Sequence, residues 1–334
     1  GDPRNDENLI VAQLHLAFLR AHNALVSSGM SGAAAQKALR QHYQFMVIDD
    51  FLKKVADPAV VDDILTNGSP ALANGDSLFP PASEGNTDPY FMPLEYAAAA
   101  FRFGHTIIRG GYNFNRNFNF SGAPGTLGAS LGLLFTFTAL SGSLGDFDTL
   151  PENWIIEWER MLDLGYGAPL DRARRIDTKL VEPLFHLTNI AGVEEPVNVR
   201  SLAVRNLVRG YLLRLPTGQA VATALGITPL TPLELQQAAA SPAQVQALTA
   251  GGFLTRTPLW YYILAEASSN SIHGGLGQRL GRVGSTIVAS VLIAGARRSA
   301  DSFLTDATWN GPTLPSVRPG KFTLADLLQL AGVL

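Results

Sequence analysis

The sequence predicts a mainly α-helical protein of 334 residues, one large domain with long irregular loops and little β structure. Three observations carry this. Apolar residues recur at three- and four-residue steps through most of the chain, the period of a helix packed on one side. Hydrophobic residues make up 46% and charged residues 16%, enough apolar content for a large core and too little charge for a mostly disordered chain. Neither an internal repeat nor a distinct linker divides the sequence, so residues 1–334 read as one domain.

The elements follow in order. Residues 8–27 predict a helix that is apolar on nearly every face and therefore centrally buried. Residues 32–56 predict a second helix, ended by Asp57-Pro58. The stretch 67–88, rich in Gly, Pro, Ser and Asn, reads as a loop. Pro93 opens a helix through His105, on which Leu94, Ala98, Phe101, His105 and Ile108 share one face. Aromatic and polar residues alternate over 112–120, which fits an extended ribbon or an irregular loop. The uncharged run 117–145 is broken by Pro124 and several glycines, so it reads as a buried loop with a short core helix, not a transmembrane span. Further helices are expected at 151–163, 199–213, 217–225, 232–239, 242–250, 256–268, 283–297 and 323–332. Thr231-Pro232 and Ser241-Pro242 mark two helix starts.

Composition removes several function classes. Net charge is −3 with both signs mixed, and no basic stripe is interleaved with aromatics, so nucleic acid is not an expected partner. The absence of cysteine excludes disulfides and every thiolate metal ligand. It leaves the compartment open. The chain starts with Gly and no signal segment precedes the first helix, so it is expected to begin inside a larger product.

His105 is the most informative residue. It stands in EYAAAAFRFGHTIIRGGY as the one polar group on an apolar face, and Gly104 before it would let a flat cofactor approach an axial imidazole. On this segment alone a hydrogen-bonded core histidine is the stronger reading. Two other segments shift the balance. GDPRNDENLIVAQLHLAFLRAHNALV opens the chain with a GDxRxxE pattern, followed by Arg20, Ala21, His22 and Asn23. SLAVRNLVRGYLLRLPTGQAVA supplies Asn206, Arg209 and the turn Leu215–Gln219. Together with FRFGH, in this order, these motifs resemble the animal-type haem peroxidase superfamily, especially its bacterial branch. The resemblance runs through most of the chain, from the distal-arginine motif to the C-terminus, with weaker echoes at 151–162, 174–184 and 276–295.

The resemblance implies roles residue by residue. His105 is the proximal ligand of haem iron through Nε2, and its other ring nitrogen donates its N–H to the Asn206 amide oxygen. Arg209 pairs a haem propionate, which suits the guanidinium fork. Arg4 sits on the distal side, where a fixed cation polarises bound peroxide. Glu7 matches the residue that forms an ester with the haem in mammalian members, so the cofactor is haem b or an ester-modified haem. A plainer reading of Asp2, Asp6 and Glu7 is a set of carboxylates favourable at a helix N-terminus. His15 and His22, seven residues apart on the first helix, are expected to be structural.

One departure matters. The distal histidine, the second ester-forming acid and the calcium ligands of the family all lie N-terminal to GDxRxxE, so none is in this chain. The expectation is therefore the large C-terminal part of a peroxidase that reduces hydrogen peroxide and oxidises a small donor (a halide, a phenol or another organic molecule). It would work with an N-terminal polypeptide carrying the distal histidine, without a transmembrane span, and a secreted or periplasmic site is favoured. Calcium, if bound, would depend on that other segment. One alternative is a fatty-acid dioxygenase of the same superfamily. Such enzymes carry a radical-forming Tyr three residues before the proximal histidine, where this chain has Arg102 between Phe101 and Phe103; Tyr96 is nine residues away. The other alternative is a non-catalytic pseudoperoxidase or assembly module.

Overall fold

The computed structural model describes residues 6–69, 92–138, 150–164, 170–187, 196–271 and 274–334. Helices dominate. They are α1 (Leu9–Ser27), α2 (Gly32–Phe45), α3 (Lys53–Val55), α4 (Pro58–Asn67), α5 (Leu94–Ala98), α6 (Gly104–Ile107), α7 (Val197–Arg200), α8 (Leu202–Leu212), α9 (Gly218–Ala224), α10 (Pro232–Gln237), α11 (Pro242–Ala250), α12 (Leu259–Ser268), α13 (Arg282–Arg298) and α14 (Leu324–Leu330). A π-helical stretch, Met46–Leu52, joins α2 to α3, and a 3-10 turn, Ala100–Phe103, joins the α5 region to α6. The one sheet among the described residues is a pair of two-residue strands, β1 (Gly111–Tyr112) antiparallel to β2 (Ala129–Ser130). The mainly α class with little β is therefore what the chain forms.

Two apolar cores organise these elements. The first surrounds α12 and α13, with residues from α4, α5, α9 and the 3-10 turn packed on them. Most of α13 is buried. Small residues (Gly284, Ser285, Ala289, Ser290) let neighbours approach, and Val283, Ile287, Val288 and Val291 fill the space between. Its buried hydroxyls are satisfied: Ser285 donates to the Leu280 carbonyl and Thr286 to the Arg282 carbonyl. The second core joins α1, α2 and α14 to the loop aromatics Phe114, Trp154 and Trp158.

The TGQ turn shows how a motif is explained by packing. Thr217 caps α9 by accepting from the Ala220 amide. Gln219 exchanges two hydrogen bonds with Thr257, at 2.8 and 3.0 Å. A Cβ on Gly218 would lie 1.9 Å from the Tyr262 ring, so glycine allows α9 to reach α12.

Three sequence expectations are corrected. First, α1 is not buried on all faces. Leu9, Ala17, Ala21 and Leu25 pack inward, whereas Val11, Leu16, Leu19 and Val26 are exposed. Among the described residues α1 is the one helix long and apolar enough by composition to cross a membrane. Its polar side chains are nevertheless spent on this protein: Gln13 pairs with the backbone of Trp154 and Ile156, and Arg20 caps the end of α14 by donating to the carbonyls of Ala331 and Gly332.

Second, the helix through His105 is broken. Ala99, at φ −134° and ψ −72°, interrupts it, and the chain continues as 3-10 before α6. Burial then follows a three-residue step, Ala100, Phe103 and Thr106, while Leu94 and Phe101 are exposed. Third, 151–163 forms two short 3-10 turns, Glu152–Trp154 and Trp158–Arg160, with an extended stretch between them. The backbone there is taken by side chains: Asn115 donates to the carbonyls of Asn153 and Ile155, and Gln13 takes Trp154 and Ile156. Those groups are no longer available to a helix ladder. The expected loop 67–88 falls largely outside the described residues, as does the end of 117–145.

Candidate functional site

His105 sits in the second position of α6, half-buried, on a segment anchored at both ends. Trp260 of α12 donates its indole N–H to the Arg102 carbonyl at 3.2 Å. Arg174 donates from its backbone to Ile107 and from its side chain to the Thr106 carbonyl, so the last carbonyls of this short helix have partners. Across from it, α8 is capped by Ser201, which accepts from the Val204 amide, and buries a single residue, Asn206.

Asn206 is 1% exposed and joins two groups. Its Nδ2 lies 2.8 Å from His105 Nδ1, and its Oδ1 accepts from the Arg102 guanidinium at 2.5 Å. Arg102 also donates to the Ala97 carbonyl at 3.1 Å. His105 Nε2 has no hydrogen-bond partner among the described residues. Burial, together with the nearby charges of Arg102 and Arg205, pushes the His105 pKa down to about 4. The ring is therefore neutral at ordinary pH with one nitrogen uncommitted.

Positive charge gathers here. Arg102 is pushed below the usual arginine value by burial and by the charges of Arg209 and Arg205. No carboxylate pairs with any of these three guanidiniums among the described residues, and Arg205 and Arg209 are exposed on α8. Beyond its chain neighbours and its own helix backbone, Gly104 has no atom within 4 Å of where a Cβ would stand.

The predicted site residues fare differently. His105 and Asn206 meet, and Arg209 lies in the same charge cluster. Glu7 is exposed ahead of α1 and makes no hydrogen bond among the described residues; Asn8, accepting from the amides of Ile10 and Val11, is the residue that caps the helix. Arg4 falls outside the described residues. His15 is exposed, and His22 approaches the Gly32 carbonyl at 3.4 Å. Arg102 and Arg205 were not singled out by the sequence for this site. The available signal was Arg205 and Arg209 at i,i+4, a like-charge pair with no acid at helical spacing, which costs stability unless something anionic is bound.

The His105–Asn206 bond of the ligand-free chain runs opposite to the direction expected for the iron-bound ring. An arginine cannot accept a hydrogen bond, so the Asn206 oxygen must face Arg102 and its NH2 must face His105. Nδ1 therefore accepts in this arrangement, where the expectation had it donate. A separate cleft of about 440 Å³, lined by Arg175, Glu234, Gln237, Ser268, Asn270 and Leu276, includes none of these residues. Among the described residues no group of three His, Asp or Glu side chains could hold a metal ion.

The donor set fits a haem. A neutral imidazole with a free nitrogen can ligate iron, and unpaired guanidiniums can take carboxylates. No family profile matches the chain, and no curated protein matches its sequence. Among solved structures the chain is similar to Peroxidase A from Dictyostelium discoideum, at TM-score 0.53 and 16% identity, covering 90% of this chain and 51% of that one. The chain thus has the helical fold of a peroxidase and spans about half the length of that protein.

Proposed function

We propose that this chain is the larger, proximal-side part of a haem peroxidase that reduces hydrogen peroxide while oxidising a small donor. The observation that carries the reading is the neutral His105, held at Nδ1 and uncommitted at Nε2, beside three guanidiniums without a carboxylate. Haem bound there would supply the redox-active iron that passes two electrons from the donor to peroxide, with two protons, to give two waters. His105 would hold the iron, Asn206 would orient the ring, and Arg209 would bind a propionate. Arg4 would steady charge on peroxide, and Glu7 would be the esterification point if the haem is modified.

Peroxide cleavage also needs a positioned base to move its proton. We assign that base to an N-terminal polypeptide, which would also bring any calcium ligands. The exposed row Val11, Leu16, Leu19 and Val26 on α1 offers such a partner an apolar surface. The dioxygenase reading has no tyrosine at position 102 to support it.

Titration of the chain with haemin tests the proposal. A Soret band typical of histidine-ligated ferric haem should develop at one haem per chain and be lost in His105→Ala. Peroxidase turnover should appear when the N-terminal polypeptide is added. A chain that takes up no haemin overturns the proposal; uptake without turnover in the completed assembly favours the pseudoperoxidase reading.

A further inference from the structure

The outward side of α8 takes no part in the haem reading. Asn206 points inward and is the one buried residue of the helix. Residues two, five and six positions further on come round to the far side. They are Val208, Tyr211 and Leu212, and they are 43%, 82% and 69% exposed. Leu207, also exposed, extends this apolar face along one flank.

Apolar side chains left this open mark an interaction surface, and the charge around them says with what. Residues 197–233 hold four arginines and no lysine, aspartate or glutamate, in a chain whose net charge is −3. Arg205 lies on the flank opposite Leu207, and Arg214 follows the C-terminal end of α8. Both are exposed, and neither has an ion pair among the described residues. Acids on the elements packed against α8 do not neutralise them. Glu266 of α12 is buried on the α13 amides, and Glu95 of α5 is buried. Glu182, on the 3-10 turn Glu182–Phe185, pairs with His186 at 2.8 Å.

An apolar strip edged by unpaired arginines is the pattern of a helix that lies in the plane of a membrane surface. Its apolar side chains enter the acyl boundary, the arginine stems follow them, and the guanidiniums reach lipid phosphates. A protein partner would need a carboxylate placed for each arginine. An anionic lipid surface meets the arginines wherever they stand.

We propose that the outer face of α8 docks on an anionic phospholipid membrane, with Val208, Tyr211 and Leu212 entering the interface and Arg205 and Arg214 binding lipid phosphates. Binding is peripheral and reversible, because one helix of 11 residues offers few apolar side chains. Docked in this way, α8 keeps its Asn206 side turned away from the lipid. The proposal holds with or without haem, and Arg209, the propionate partner, takes no part in it.

The chain has no cysteine of its own, so one introduced by Leu212→Cys can carry an environment-sensitive dye alone. The dye should shift to shorter wavelength with vesicles of equimolar phosphatidylcholine and phosphatidylglycerol, and stay unshifted with phosphatidylcholine alone. The same dye at Leu19→Cys, on the exposed side of α1, should not shift. In flotation assays the unlabelled chain should bind the mixed vesicles, and less as salt is raised. The double variant Tyr211→Ser/Leu212→Ser should weaken binding roughly tenfold or more, and Arg214→Gln about fivefold, the scale of one cation near a charged surface. Circular dichroism checks that the variants are folded.

Absence of binding to the mixed vesicles overturns the proposal. So does undiminished binding in the folded double variant, or a dye shift at Leu19→Cys as large as at Leu212→Cys. A shift at Leu212→Cys that needs no vesicle and grows with protein concentration assigns the face to a second copy of the chain and overturns it as well.

Discussion

His42 and His105 are both neutral rings on helical segments, and they differ in what their neighbours leave undone. His42, fully buried on α2, has both nitrogens spent on backbone. Nδ1 donates to the Ala38 carbonyl at 2.7 Å, and Nε2 accepts from the amides of Thr313 and Leu314 at 2.8 and 3.0 Å. Trp309 and Phe322 close on its ring edge-on. His105 has one nitrogen held by a side chain that is itself held by a cation, and the other nitrogen has no hydrogen-bond partner among the described residues. A satisfied histidine ties one segment to another; an unsatisfied one is available to a ligand. Burial lowers the pKa of both, so the pKa direction does not separate them and the hydrogen-bond count does.

The largest effect should come from removing each ring in turn. His105→Ala should abolish histidine-ligated haem uptake and cost only about 1–3 kcal/mol, the buried Asn206 NH2 being left without its acceptor while no backbone group loses one. His42→Ala should leave haem uptake intact in the fraction that folds and cost about 3–5 kcal/mol, the sum of a core cavity and two backbone amides left without an acceptor. Haemin titration and urea unfolding of the two variants check this. If both lose haem uptake and stability together, the contrast between the two histidines is wrong.

How far this contrast can be read from sequence depends on what the neighbours are. His105 stands in a short motif, and its partner Asn206 in another, so matching two local patterns brings them together on the page. His42 has partners no side-chain pattern could reveal: a carbonyl on its own helix and two amides 271 and 272 residues away. The same holds for the fold. The helices from α8 onward keep the three- and four-residue periods that predict them. The segment 151–163 has a helical pattern but loses its backbone groups to Asn115 and Gln13, one of them 143 residues distant. Ala99 breaks the helix before His105 at a residue with no breaking tendency of its own; the buried step of three that follows explains the outcome after the fact. Arg102 was read against a tyrosine expected at its position, and its link to Asn206 becomes visible only once α8 lies beside the 3-10 turn.

A smaller effect sharpens the His105 side. In Asn206→Asp a carboxylate would replace the amide between Arg102 and the ring. An opposite charge beside an imidazole favours its protonated form, so the His105 pKa should rise from about 4 by about a unit or more in the ligand-free protein. Arg102 offsets part of this by pairing with the new acid. With haem bound, stronger donation from the imidazole should lower the iron reduction potential. An NMR titration of the His105 ring reads the first outcome, and a spectroelectrochemical titration the second. An unmoved pKa and an unmoved potential in a folded variant would remove Asn206 from contact with the ring.

The mildest test uses pH to separate groups that titrate in opposite senses. The folded His42 pKa lies below its ordinary value, so the unfolded chain binds the proton more readily. Stability tied to His42 is therefore complete above about pH 6.5 and is lost as pH falls through the lowered pKa. Glu266 on α12 runs the other way. It is 1% exposed, accepts from the amides of Val283 and Gly284 at the start of α13, and burial pushes its pKa up to about 8. Its folded form holds a proton that the unfolded chain has released, so stability falls as pH rises from about 4.5 to 8 and levels off above. Below pH 6.5 the two slopes oppose; from 6.5 to 8 Glu266 acts without His42. Urea midpoints of the wild type should therefore fall between pH 6.5 and 8, by at most about 1.4 kcal/mol per pH unit for one proton. Glu266→Gln, which keeps an acceptor for the α13 amides, should flatten that limb. His42→Gln, which can still donate and accept, should reduce the acid limb to the part that the lowered pKa of His105 contributes, and leave the alkaline one. A wild-type alkaline limb that survives unchanged in Glu266→Gln would mean that the helix N-terminus holds Glu266 ionised after all, with the amides and the α13 dipole outweighing burial.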